Sequence, residues 1–125
     1  MNVRSLAKVA ILVVAAAAIA FSCSLDYMLD FDIGDIAVGL DYVDVDYTLF
    51  NAGSRTMDNA QIHIEVTVDL ALGGSETLER WTPGVDLSVF ESFSDTLEFT
   101  FSGEIINPVV VEVIGAGWDE DSSGS

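Results

Sequence analysis

From residue 25 onward, apolar and polar side chains alternate along the chain with a period of two. In "VDVDYTL", residues 43–49, Val43, Val45, Tyr47 and Leu49 share one face, and Asp44, Asp46 and Thr48 share the other. "IHIEVTVDL", residues 62–70, repeats the scheme: Ile62, Ile64, Val66, Val68 and Leu70 against His63, Glu65, Thr67 and Asp69. "LEFTF", residues 97–101, sets Leu97, Phe99 and Phe101 against Glu98 and Thr100. "VVVEVI", residues 109–114, turns Val109, Val111 and Val113 inward, and its other face is only partly polar. Period two is the mark of a half-buried strand, and β-branched and aromatic residues suit a pleated surface. Weaker runs predict further strands over 25–33, 36–40, 76–81 and 84–90. Turn signals divide them. "NAGS" at 51–54 and "GGS" at 73–75 read as loops with glycine at positive φ. "TPG" at 82–84 offers a turn proline, and Asn107-Pro108 opens the last strong strand.

About seven short strands, each with one apolar face, and no amphipathic helix predict an all-β domain. A single sheet could not hide its apolar face, whereas two sheets packed together can. The expected fold is an antiparallel β-sandwich of the immunoglobulin-like kind over residues 27–118. Residues 119–125, "DEDSSGS", read as an acidic, disordered tail.

The N-terminus follows a different plan. Arg4 and Lys8 precede an uninterrupted apolar run from Val9 to Phe21, and no acid occurs before Asp26. A basic start, an apolar stretch and small residues at a cut make a secretory signal, expected here as a helix. The run of thirteen residues is short against the roughly 20 that span a bilayer, although an uncleaved anchor stays open. Ala18-Ile19-Ala20 fits ordinary cleavage before Phe21. Ala20-Phe21-Ser22-Cys23 resembles a bacterial lipobox of the relaxed, spirochaete-like kind, with Ala and Phe at positions where the enterobacterial pattern has Leu and a small residue. Cys23 is the only cysteine, so it has no intramolecular disulfide to form, and an odd cysteine in an exported chain needs a reason. The resemblance supplies one: lipid attachment at Cys23. Residues 1–22 are then the signal peptide and 23–26 the anchor and tether. Each buried CH₂ of an acyl chain contributes roughly 0.8 kcal/mol, and two or more chains anchor stably. Ser24 carries no enterobacterial retention signal, which points to the outer rather than the inner membrane.

Charge narrows the partners. All 21 acids follow Cys23, where only Arg55 and Arg80 remain as cations, so the mature chain carries a net charge of −19. Binding to nucleic acid requires cations that displace counterions, and this chain has none to spare. The field also repels anionic headgroups. It suits basic partners, cations or a saline habitat.

The stretches "VDVDYTLFNAGSRTMDNAQIHIEVTVD", "LSVFESFSDTLEFTF" and "VVVEVIGAG" resemble the extracytoplasmic immunoglobulin-like modules of the LEA-2 and CARDB type over roughly residues 36–118. There a strand runs into an Asn-x-Gly turn, here Asn51-Ala52-Gly53, and a second long strand follows. The resemblance implies a binding, adhesion or structural unit, and it brings no catalytic residues.

Candidate chemistry is sparse. Asp30, Asp32 and Asp41 fall at positions 1, 3 and 12 of a calcium-loop spacing, but Gly34 and Asp35 stand where that loop needs Asp or Asn and then Gly. Asp41, Asp44, Asp46, Asp119, Glu120 and Asp121 could supply oxygens to a cation if the fold gathers them. His63 shares a strand face with Glu65, with no nucleophile assigned to it by any motif. Trp81 and Trp118 suit core or rim packing, and they could also stack on sugar rings. No catalytic residue, metal ligand or cofactor is assigned. The expectation is a non-enzymatic lipoprotein of the cell envelope, tethered through Cys23 and serving as a structural or interaction module, with another envelope protein or cations as partners. A cation- or carbohydrate-binding adhesion module is the first alternative and a hydrolase accessory domain the second.

Overall fold

Every regular element in the described part of the chain is a strand, as the period-two pattern demands. The computed structural model describes residues 11–14 and 26–120. In chain order the strands are β1 (Ile11–Val14), β2 (Leu29–Val38), β3 (Tyr42–Asn51), β4 (Met57–Leu70), β5 (Ser75–Trp81), β6 (Val85–Leu87), β7 (Ser92–Thr100) and β8 (Ile105–Glu120). One sheet runs β1-β8-β4-β5, with β6 also paired to β4. The other runs β2-β3-β7. Both are antiparallel except where β1 joins β8 in parallel.

The two sheets close over a single core. Val43, Val45, Tyr47 and Leu49 of β3, Ile62, Ile64, Val66 and Val68 of β4, Leu97 and Phe99 of β7, and Val109, Val111 and Val113 of β8 are all buried. These are the inward faces expected from alternation. Each such side chain contributes roughly 1.5–3 kcal/mol when fully buried. Among the residues whose burial is described, the core runs from Tyr27 to Val113. The fold is thus the expected two-sheet β-sandwich.

The element boundaries differ from those expectations. The runs at 25–33 and 36–40 form one strand, β2, whose register breaks between Ile33 and Ile36. Gly34 and Asp35 form that bulge, which lets the apolar side chains return to the inner face after an odd step. The expected strand over 84–90 shrinks to β6, because the chain turns at Val89 and Phe90. Asp119 and Glu120, placed in the tail by the sequence, extend β8 against Met57 and Asp58. Residues 121–125 lie outside the described residues. So does most of the leader, but its four described residues are an extended strand on β8 instead of a helix. Gly73 and Gly74 have positive φ as expected. Gly53 does not; it is required because a Cβ there would lie 2.5 Å from the Asp26 carbonyl oxygen.

Candidate functional site

Cys23, with Ser24 and Leu25, lies outside the described residues. The chain is tied into the sandwich from Asp26 onward. The Asp26 carbonyl accepts from the amides of Ser54 and Arg55 at 3.2 and 3.1 Å, and the Met28 carbonyl accepts from Ala52 at 2.8 Å. The 52–55 loop is itself held by Asn51, a fully buried polar side chain. Its Oδ1 accepts from the Gly53 amide at 2.9 Å. Its Nδ2 donates to the carbonyls of Arg55 at 2.9 Å and Leu87 at 3.0 Å. Its main chain exchanges bonds with Phe90 and Glu91. One asparagine therefore joins the N-terminal segment, β6 and the 88–91 turn at one end of the sandwich. At that end Phe90, at φ 65°, leaves most of its ring in solvent.

The outer face of the β8-β4-β5 sheet carries the histidine. β4 sets His63 opposite Trp81 on β5 and Gly115 on β8. The imidazole and indole stack at 4.6 Å between centroids, 13° from parallel. Trp81 reaches across β4: its Cη2 and Cζ3 lie 3.5 and 4.0 Å from where Cβ atoms of Gly115 and Gly117 would stand. The alternating glycines of "GAG", residues 115–117, thus clear a berth for the indole, while Ala116 between them packs on the core. His63 Nε2 meets Glu79 Oε1 at 3.3 Å. The sequence paired His63 with Glu65 along one strand, but the carboxylate that reaches it stands across the ladder. Trp81 remains 44% exposed, so it is a surface ring rather than core. Trp118 does pack against the core.

The outer face of the β2-β3-β7 sheet is acidic. Asp44 stands opposite Glu98, and Asp46 opposite Thr96. Burial first, then the charges of Glu98 and Asp46, push the Asp44 carboxyl above the usual aspartate range. Thr96 Oγ1 donates to Asp46 at 2.6 Å, and the hydroxyls of Thr48 and Ser94 bond at 2.7 Å. With Gly34 and Asp35 at the β2 bulge, these groups line an open depression. Asp30 and Asp32 lie on β2, which stays extended through its bulge to Val38, so residues 30–41 do not form a calcium loop. Asp119 lies on the other sheet, beside Asn59, far in topology from Asp44 and Asp46. Among the described residues, no three His, Cys, Asp or Glu side chains are grouped to hold a metal.

Arg55 and Arg80 clamp the fold. Arg55 lies over the Tyr27 ring at 5.9 Å and Arg80 over the Phe99 ring at 6.0 Å. Arg80 Nη1 also donates to the Glu98 carbonyl, bridging the edge of one sheet to the edge of the other. Asp95 sits in register with buried Tyr47. Burial, then the Asp95 charge, push the Tyr47 hydroxyl above its ordinary value, against a smaller lowering from Thr82. The Thr82 hydroxyl accepts from the Ile62 amide at 3.0 Å but does not meet hydrogen-bond geometry with Tyr47, whose oxygen has no partner among the described residues.

These surfaces offer stacking on an exposed indole and attraction for cations; neither aligns a nucleophile with a base. A scan against protein-family models gives no match for this chain, and neither curated proteins nor solved structures give one.

Proposed function

We propose that the chain is an exported lipoprotein, acylated at Cys23, whose β-sandwich is a non-catalytic interaction module held close to the membrane. One observation carries the reading. The fold takes hold of the chain at Asp26, so only Ser24 and Leu25 separate the cysteine from the sandwich. Residues 27–113 supply a continuous apolar core of their own. An apolar leader, then a lone cysteine, then the domain is the order of parts that suits a lipid-anchored module. Two or more acyl chains would hold the domain stably at the surface. Net charge then sets its bearing: −19 units next to anionic headgroups favour a domain that stands off the bilayer and meets basic partners or cations. The immunoglobulin-like resemblance agrees with a binding role.

Intact mass of the protein from membrane fractions tests this, with Cys23→Ala beside the wild type. The expected mass is that of residues 23–125 plus acyl chains, lost in the variant. An unmodified chain beginning at Phe21 in the soluble fraction overturns it.

Exposed Trp81 favours carbohydrate binding as a second reading. Its indole is fixed by His63 and flanked by the Glu79 carboxylate, the pairing of apolar ring and polar rim that a sugar face uses. Quenching of Trp81 emission by soluble glycans, absent in Trp81→Ala, would support it.

A further inference from the structure

Four strand edges bound the two sheets: β2, β7, β5 with short β6 beside it, and β1 laid on β8. β2 carries Asp30, Asp32 and Asp35 and a register break. β5 carries Glu76, Glu79 and Arg80, and short β6 beside it carries Asp86. β7 carries Asp95 and Glu98, and Arg80 covers the Glu98 carbonyl. Charges, bulges and short edges are the devices that stop strands from recruiting other strands. The fourth edge is built differently: from Val109 to Val113, β8 holds one charge, Glu112, between a register break at Asn107-Pro108 and another at Ile114. Ile106 and Ile114 are exposed along it. Its edge at Val109–Glu112 is paired with Ile11–Val14, a parallel strand drawn from the leader.

We propose that, in the mature protein, the Val109–Glu112 edge of β8 is a strand-addition site for an extended, uncharged, β-branched segment of another envelope protein, running parallel to β8. This rests on the lipoprotein reading, since loss of residues 1–22 bares that edge. The strand seated there defines the chemistry of the occupant: Ile-Leu-Val-Val, uncharged and parallel. A second copy fits less well. Two β8 strands side by side about a two-fold axis run antiparallel, and two bodies of −19 charge repel. The opposite sheet supports the same site. β3 packs over β4 and β7 over β6, so the sheet orders bring β2 over β8. There Leu29, Phe31 and Ile33 are only half-buried, an apolar flank for alternate side chains of an added strand. Main-chain bonds would give affinity and these side chains specificity.

The test uses residues 23–125 with Cys23→Ser, a form that contains every core residue among those described. The probe is a peptide with Ile-Leu-Val-Val at its centre and Ser-Gly at each end. Amide hydrogen exchange is read at Val109–Glu112. The peptide is expected to slow the edge-facing amides about tenfold, equivalent to about 1.4 kcal/mol. Methylating alternate peptide nitrogens should abolish the effect for one pattern and spare it for the other, because only one set of amides faces β8. The full chain should show that protection without peptide, and Leu12→Pro in the full chain should remove it and restore peptide binding. Unchanged exchange at Val109–Glu112 in both forms overturns the proposal. So does protection without peptide in a mature protein that sediments as a dimer. Acylation plays no part in this measurement, so its failure and that of the lipoprotein reading, read by mass, are separate results.

Discussion

Asn51→Ala tests how one buried side chain holds an end of the sandwich together. The substitution removes the acceptor of the Gly53 amide and the donor to two carbonyls, those of Arg55 and Leu87. Each lost bond is worth about 1 kcal/mol net, and a partner left buried without a replacement costs about 1–3 kcal/mol. Three bonds therefore put the loss near 3 kcal/mol, from a total of about 5–15 kcal/mol for a domain of this size. At roughly 4–8 °C per kcal/mol, Tm should fall by about 12–24 °C. Urea denaturation of residues 23–125 gives the number directly, as a lower midpoint at unchanged slope. A loss below about 0.5 kcal/mol would refute the reasoning, since it would mean that the loop and β6 do not depend on these bonds. Asn51→Asp sharpens the test. It keeps the acceptor for Gly53 but turns an oxygen toward the two carbonyls. Burial and those dipoles would raise its folded pKa above the unfolded value of about 3.9. The folded state then holds the proton longer than the unfolded state, so the deficit should be smallest in acid and grow as pH rises through the folded pKa.

Asp44 has a raised folded pKa, so its contribution is most favourable in acid and declines as pH rises through that value. Asp44→Asn should therefore stabilise the protein at pH 7 by a few tenths of a kcal/mol, because the carboxyl is only partly buried and solvent screens its neighbours' charges. The gain should vanish near pH 2 and shrink in 1 M salt, as thermal melts across pH and ionic strength would show. Gly115→Val should displace the Trp81 indole, shift its emission to the red and cost about 0.5–1.5 kcal/mol of stacking. Gly115→Ala, whose Cβ would stand 3.4 Å from His63 and 3.5 Å from Trp81, should stay near wild type. Arg80→Met should cost about 1 kcal/mol in denaturant melts, through lost attraction to the Phe99 ring and the Glu98 carbonyl.

The sequence by itself determined the strands and their faces. Period two assigned Val43, Val45, Tyr47 and Leu49 to one side of β3 and Ile62, Ile64, Val66 and Val68 to one side of β4, and all eight are buried. It worked because side-chain direction in a strand depends only on parity, a local property. The Asn51-Ala52-Gly53 turn was legible for the same reason, since its Oδ1 bond spans two residues. Strand pairing is not local, and that is where reading along the chain stopped. Glu79 reaches His63 only because β5 lies beside β4 in one register. Gly53 is needed only because Asp26, distant in sequence, crosses above it. Asp30 and Asp41 fail as a calcium loop because β2 stays extended where that spacing needs a turn. That β1 covers Val109–Glu112 of β8 becomes visible only when the order of strands shows which ones meet. The chain's alternation decides what each strand buries. Tertiary structure decides which strands meet, and through that which side chains stand together on the surface.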